Sequence, residues 1–156
     1  MIDLARMAAL VAVLAAAVVY GTDVFCAVVQ RPALARVDDR ALVAVMGNVH
    51  RYGDRRMPVP GALGIIAAAV SGALAALSGR WTATAAAATA VGLLLIWLVL
   101  YVRVSAPINR RLTTAVNAGD VPPNARVLQS DWDRVITARA VLQGLAIAAL
   151  CLALLN

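Results

Sequence analysis

The chain contains no lysine and no glutamate, one histidine, one phenylalanine and two cysteines. All its basic residues are Arg and all its acidic residues Asp, a bias that reflects codon composition more than chemistry. A single histidine cannot form a bis-His haem site. Without a second His or a Cys-x-x-Cys, no ordinary metal centre is expected. No glycine-rich phosphate loop and no nucleophile elbow occurs. Cys26 and Cys151 fall in different apolar runs near opposite membrane faces, so no disulfide is expected and both read as small buried hydrophobes. Charge is scarce too, at 14% of 156 residues against about 25% in soluble domains. With 63% hydrophobic residues and a mean hydropathy of +0.84, a water-soluble globule and a disordered chain are both excluded. An isoelectric point of 10.6 raises nucleic acid as a partner. The arginines flank apolar runs, however, which fits headgroup contact and topology, and no nucleic acid is expected.

What the chain has is long apolar runs. Crossing about 30 Å of hydrocarbon takes about 20 residues, and four runs qualify: residues 4–30, 60–78, 82–104 and 135–155. The first is over-long and is expected to tilt or project. Small residues in its centre resemble a cleavage site, but the apolar run continues to Val29 behind a single Arg6, so it is expected to be retained. Only Ser78 to Trp81 separates the second and third runs, which predicts a tight hairpin with Trp81 as an interfacial anchor. The chain reads as one all-α integral membrane domain over 1–156. Its architecture is a transmembrane four-helix bundle with short cytosolic amphipathic helices, and a homo-oligomer is left open.

Two segments between spans carry helical periodicity. Asp38 and Asp39 suit a helix start, and Leu42, Val45, Met46 and Val49 then recur on one face as far as the run His50–Arg56, before Pro58 and Pro60. In the second segment Pro107 is expected to break span three. Ile108, Leu112 and Val116 follow, Gly119 ends the stretch, and Pro122 and Pro123 open a helix continuous with span four. Both stretches are expected to lie on the membrane or against the bundle. Gly61, Gly64, Ala68 and Gly72 form a small-residue face on span two, suited to close helix contact.

Two ionisable residues lie within spans, Asp23 and Arg139. They have opposite sign and similar depth, so pairing is expected. Trp132, Arg139 and Gln143 share a face of span four, Tyr20, Asp23 and Ala27 one of span one, and Trp97 and Tyr101 one of span three. With Ser105, His50 and Asn109 at its mouth, this predicts an aromatic-lined pocket open to the cytosol or inner leaflet, gated by His50 and Asn109. Plainer readings stand beside it: an ion pair that only fixes helix register, a headgroup-level His50, Trp132 as a second anchor, and headgroup contacts for Tyr52, Arg55 and Arg56.

The order of features resembles a known family. Pro32-Ala33-Leu34 closes the first helix, and a His-containing amphipathic helix follows. Pro107-Ile108-Asn109-Arg110-Arg111-Leu112 follows span three, and Trp132 precedes Arg139 by seven residues. The chain resembles, over nearly its full length, the anthrone oxygenase-like family of small four-helix membrane proteins (DUF1772). That resemblance implies oxidation of a lipophilic aromatic, anthrone-like substrate with no cofactor and no metal. His50 or Asp23 would be the base, Asn109 and Arg139 would stabilise the oxyanion, and Tyr20, Trp97, Tyr101, Trp132 and Gln143 would bind substrate. The alternative is a non-catalytic membrane protein that binds a lipid, a small hydrophobic ligand or a partner subunit. The expected partners are thus a lipophilic small molecule and membrane lipids, and the expected location is a bacterial plasma membrane.

Orientation follows from Arg placement. Arg31, Arg36, Arg40, Arg51, Arg55, Arg56, Arg103, Arg110, Arg111, Arg126 and Arg134 flank one side, and only Arg6 and Arg80 the other. Both termini are therefore expected outside the cytosol. With both native cysteines replaced by alanine, a cysteine at Asn117 should label only from the cytosol and one at Gly79 only from outside. Labelling of position 79 from the cytosol would reverse the topology.

Overall fold

The structure, a computed structural model, describes residues 1–156 and contains no strand. Its helices form five rods. The first is Ile2–Leu34, made of α1 (Ile2–Phe25), a π-helical turn at Cys26–Gln30 and α2 (Arg31–Leu34). The others are α3 (Asp39–Arg56), α4 (Pro58–Leu77), the rod Trp81–Ala118 and α7 (Ala125–Leu155). Within Trp81–Ala118, α5 (Trp81–Leu100) passes through a second π-helical turn, Tyr101–Ser105, into α6 (Ala106–Ala118). All rods but α3 are long and apolar enough to cross a membrane. This is an all-α bundle of an integral membrane protein.

Each boundary has a local cause. Asp38 caps α3 by accepting from the Ala41 N–H at 2.7 Å. Gly79 (φ +69°) makes the α4–α5 hairpin possible, and Gly119 (φ +67°) ends α6 in the left-handed conformation that glycine tolerates. Pro107 does not break span three. It sits in the first turn of α6, just past a π-helical turn that already interrupts the α-helical ladder, so its missing N–H costs little there.

Around the bundle, α1 packs between α4 and α7, and α5 completes the ring between the same two helices. The half remote from α3 is packed with small side chains, including Ala12, Ala68, Ala90 and Ala146. Backbones approach closely there. A Cβ on Gly64 would lie 3.4 Å from the Ala16 nitrogen, and the Ser71 hydroxyl donates to the Ala5 carbonyl at 3.0 Å. The glycine stripe of α4 meets two partners rather than one, since Gly64 faces α1 while Gly61 and Gly72 face α5. Trp81 is exposed, as an anchor should be. Cys26 is buried, but Cys151 is exposed, contrary to expectation.

At the other end α3 lies against α6, and Leu42, Val43 and Met46 form a core with Ile108, Leu112, Leu128, Trp132 and Ile136. The amphipathic stretches therefore pair into a cap on the bundle rather than floating on lipid. Arg126 of α7 straps the α2–α3 connection: it pairs with Asp39 at 2.6 Å and donates to the carbonyls of Leu34 (2.9 Å) and Val37. Gly47 sets how closely α3 and α6 approach, because a Cβ there would fall 2.6 Å from the Leu112 carbonyl oxygen. Gly47→Ala should therefore lower stability by about 1–3 kcal/mol through overpacking, read as a lower thermal midpoint in detergent. Gly92→Ala, with nothing within 4 Å, should not. Equal behaviour of the two variants would mean that the cap is not tightly packed.

Candidate functional site

The site grows from the ion pair. Asp23 and Arg139 are almost fully buried and meet at 2.9 Å (Oδ1 to Nη2). A charge pair out of water is stable only if its remaining lone pairs and protons are met. Asp23 Oδ2 accepts from the Gln143 amide at 2.6 Å and the Trp97 indole at 3.2 Å, while Arg139 Nη1 donates to the Ser105 hydroxyl at 2.8 Å. The guanidinium carbon lies 5.9, 5.5 and 5.8 Å from the ring centres of Trp97, Tyr101 and Trp132. A cation among three aromatic faces gains quadrupole attraction in place of hydration.

A second polar string joins the cap to this centre. Asp54 Oδ1 accepts from the Tyr101 hydroxyl and the Asn109 amide, both at 2.8 Å. Asn109 Oδ1 accepts in turn from the Trp132 indole at 3.0 Å, and the Trp132 ring packs 5.4 Å from that of His50. Trp132 is thus a buried member of the site and not an interfacial anchor. Burial pushes the His50 imidazole down to about 4, and the Arg139 charge acts in the same direction, so the ring is neutral near pH 7. His50 Nε2 and Arg139 Nε are both buried without a hydrogen-bond partner.

Between these groups and α4 lies a cavity of about 390 Å³. Its polar wall holds Asp23, His50, Asp54, Asn109 and Arg139, and its aromatic wall Trp97, Tyr101 and Trp132. The α4 side is apolar, with Gly61, Ile65 and Ile66. Gly61 makes room for Trp97, whose ring would lie 3.3 Å from a Cβ at that position.

Most residues named from the sequence meet here, with three corrections. Tyr20 and Gln143 do not line the cavity. The Tyr20 ring lies over Gly144, where a Cβ would come within 3.2 Å of it, and Gln143 serves Asp23 from behind. His50 and Asn109 are each 4% exposed and do not gate a mouth, because the α3–α6 cap closes that end. The lining residues that reach the outer surface are Thr22, Val49, Pro58, Ala62 and Ile66, so the cavity opens sideways where α1, α3 and α4 meet. Asp54 was not anticipated. Its signal was its spacing, one helical turn from His50 on the same face of α3. No group of three His, Cys or Asp side chains converges to hold a metal ion.

The central pair allows a direct test. Asp23→Asn leaves Arg139 buried and unneutralised and should cost about 3–5 kcal/mol, measured by denaturant titration in mixed micelles. The double variant Asp23→Leu/Arg139→Met should recover part of that loss, the remainder being the cost of the Trp97, Gln143 and Ser105 groups left unpaired. A double variant as unstable as the single one would place the source of stability elsewhere. Comparison of the chain with family models, with curated proteins and with solved structures gives no match in any of the three.

Proposed function

We propose that this protein is a membrane-embedded, cofactor-independent oxygenase that acts on a lipophilic keto- or hydroxy-aromatic molecule of the anthrone kind. One observation carries the reading: two orphaned polar atoms, His50 Nε2 and Arg139 Nε, belong to residues lining a single aromatic-walled cavity. An unpaired buried polar group is costly, and a ligand that supplies its partner removes that cost. A flat ring system with an acidic C–H or O–H at one edge and a carbonyl at another carries the groups that could partner the two atoms. The volume, about 390 Å³, falls within the usual range for small-molecule sites. The resemblance to anthrone oxygenase-like proteins supplies the chemistry.

In the proposed reaction neutral His50 takes a proton from the benzylic CH₂ of the substrate. The electron pair left behind delocalises onto the ring carbonyl, whose oxygen is held by the Arg139 Nε–H and by the Asn109 amide hydrogen not used by Asp54. The electron-rich carbon then reduces molecular oxygen and bonds to it, and the imidazolium returns its proton to give a hydroperoxide. Loss of the remaining benzylic proton breaks the O–O bond. Overall, CH₂ and O₂ become C=O and H₂O. Asp23 has no role as base in this scheme, because both its oxygens are engaged; it positions Arg139.

A second reading, a non-catalytic binder of a hydrophobic ligand, is favoured by one feature. An imidazole that titrates at about 4 is a weak base. The two readings separate in one experiment, with the protein in nanodiscs, anthrone as probe, and tryptophan quenching and oxygen uptake read together. The oxygenase reading expects quenching, uptake and quinone absorbance. His50→Ala should lower turnover about 10²-fold or more with quenching retained. Because activity needs the neutral ring, the acid limb of kcat/KM should fall near pH 4 rather than at the ordinary histidine value of 6.5. Quenching without uptake would establish the binder, and absence of both would remove the aromatic-ligand reading.

A further inference from the structure

Beside the cavity, on the far side of Asp54, a polar recess of about 440 Å³ lies between α3 and α6. Arg51 and Arg55 enter it from α3, one turn apart, and Arg110 enters from α6 with Thr114 and Asn117 on the same helix. None of the three arginines has a carboxylate within ion-pair distance, although Arg31, Arg126, Arg134 and Arg139 all do. Asp54 shares the recess, but its Oδ1 is already held by Tyr101 and Asn109. Three guanidiniums thus share the recess with one carboxylate, one oxygen of which already accepts two hydrogen bonds, and the positive charge is in excess. Like charges one turn apart on a helix repel, and the α3–α6 contact through Gly47 holds the two sets of charge together. A feature that costs stability when empty is relieved by a bound anion.

We propose that this recess binds a phosphate group, carried either by an anionic lipid headgroup or by a soluble phosphate ester. Guanidinium forks match phosphate oxygens in pairs, and neutral donors complete the shell. The exposed Thr114 hydroxyl and Asn117 amide are free to supply them, whereas the Thr113 hydroxyl already donates to the Gly47 carbonyl. The site lies at the end of the bundle whose flanking segments also carry Arg103, Arg111 and Arg134. Its case does not require a ligand in the cavity. The two share Asp54, so an anion in the recess acts beside the residue that fixes Tyr101 and Asn109 in the cavity wall.

The test is a thermal-shift titration of the full chain in neutral detergent at constant ionic strength. The probes are phosphatidylglycerol, phosphatidylcholine and inorganic phosphate. The wild type should be stabilised by phosphatidylglycerol, by inorganic phosphate or by both, and not by phosphatidylcholine. Phosphatidylglycerol alone identifies the lipid source; inorganic phosphate at low millimolar concentration identifies a soluble one. Arg51→Gln/Arg110→Gln should raise the concentration needed by about tenfold or more, since each lost charge-assisted contact is worth about that factor or more. Arg36→Gln/Arg40→Gln, which removes the same charge at exposed positions outside the recess, should leave it unchanged. The proposal is overturned if no anion stabilises the wild type, or if both double variants respond alike, since general attraction to basic surface would then suffice.

Discussion

A carboxylate and a guanidinium inside an apolar bundle need each other and further hydrogen-bond partners, and much of this fold is arranged to supply them, with only the Arg139 Nε left unmet. Asp23 comes from α1, Arg139 and Gln143 from α7, Trp97 from α5, and Ser105 from the turn that follows it. Three of the four membrane-length rods are thus fixed in rotation and depth by one cluster. Only α4 contributes nothing polar to it. That helix is held instead by small-residue contact with α1 and α5 and by the Ser71 hydroxyl. It is also the helix that forms the apolar wall of the cavity and one side of its opening.

The cavity follows from a gradient of side-chain size along the bundle. In one half alanines and glycines let the backbones close on one another. In the other, the indoles of Trp97 and Trp132 and the phenol of Tyr101 hold the helices apart, with Arg139 between their faces. Hydrocarbon tails are as apolar as leucine, so association in lipid depends on close contact and hydrogen bonds more than on hydrophobic burial. Aromatic residues tethered by Asp23, Asp54 and Asn109 cannot collapse into the gap without breaking those bonds. The α3–α6 cap then seals the end.

Hydropathy alone identified the four spans, because twenty apolar residues have few other uses, and the opposite signs of Asp23 and Arg139 at matching depth identified their contact. Helical spacing placed Trp132, Arg139 and Gln143 on one face but could not say which of them would meet the cavity and which would stand behind it. The reading of Pro107 as a break failed for a definite reason: the π-helical turn that accommodates it leaves no mark in residue types. Asp54 was hidden in a basic run, where a lone carboxylate reads as charge balance. Its partners Tyr101 and Asn109 are 47 and 55 positions away, and only tertiary structure joins them.

The sideways opening where α1, α3 and α4 meet would change the reference state for a molecule that entered the cavity. A molecule that reached it from the bilayer would leave hydrocarbon, not water, so the apolar wall of α4 would provide almost no net driving force by exchanging one greasy neighbour for another. Concentration in the bilayer is set by partitioning, before the protein is met. Selectivity must then reside in what lipid lacks: hydrogen-bonding atoms at fixed positions, a cation, and flat aromatic faces. For a solute of the proposed kind, oil–water preference would govern how often it visits the cavity, and its pattern of heteroatoms would govern whether it stays.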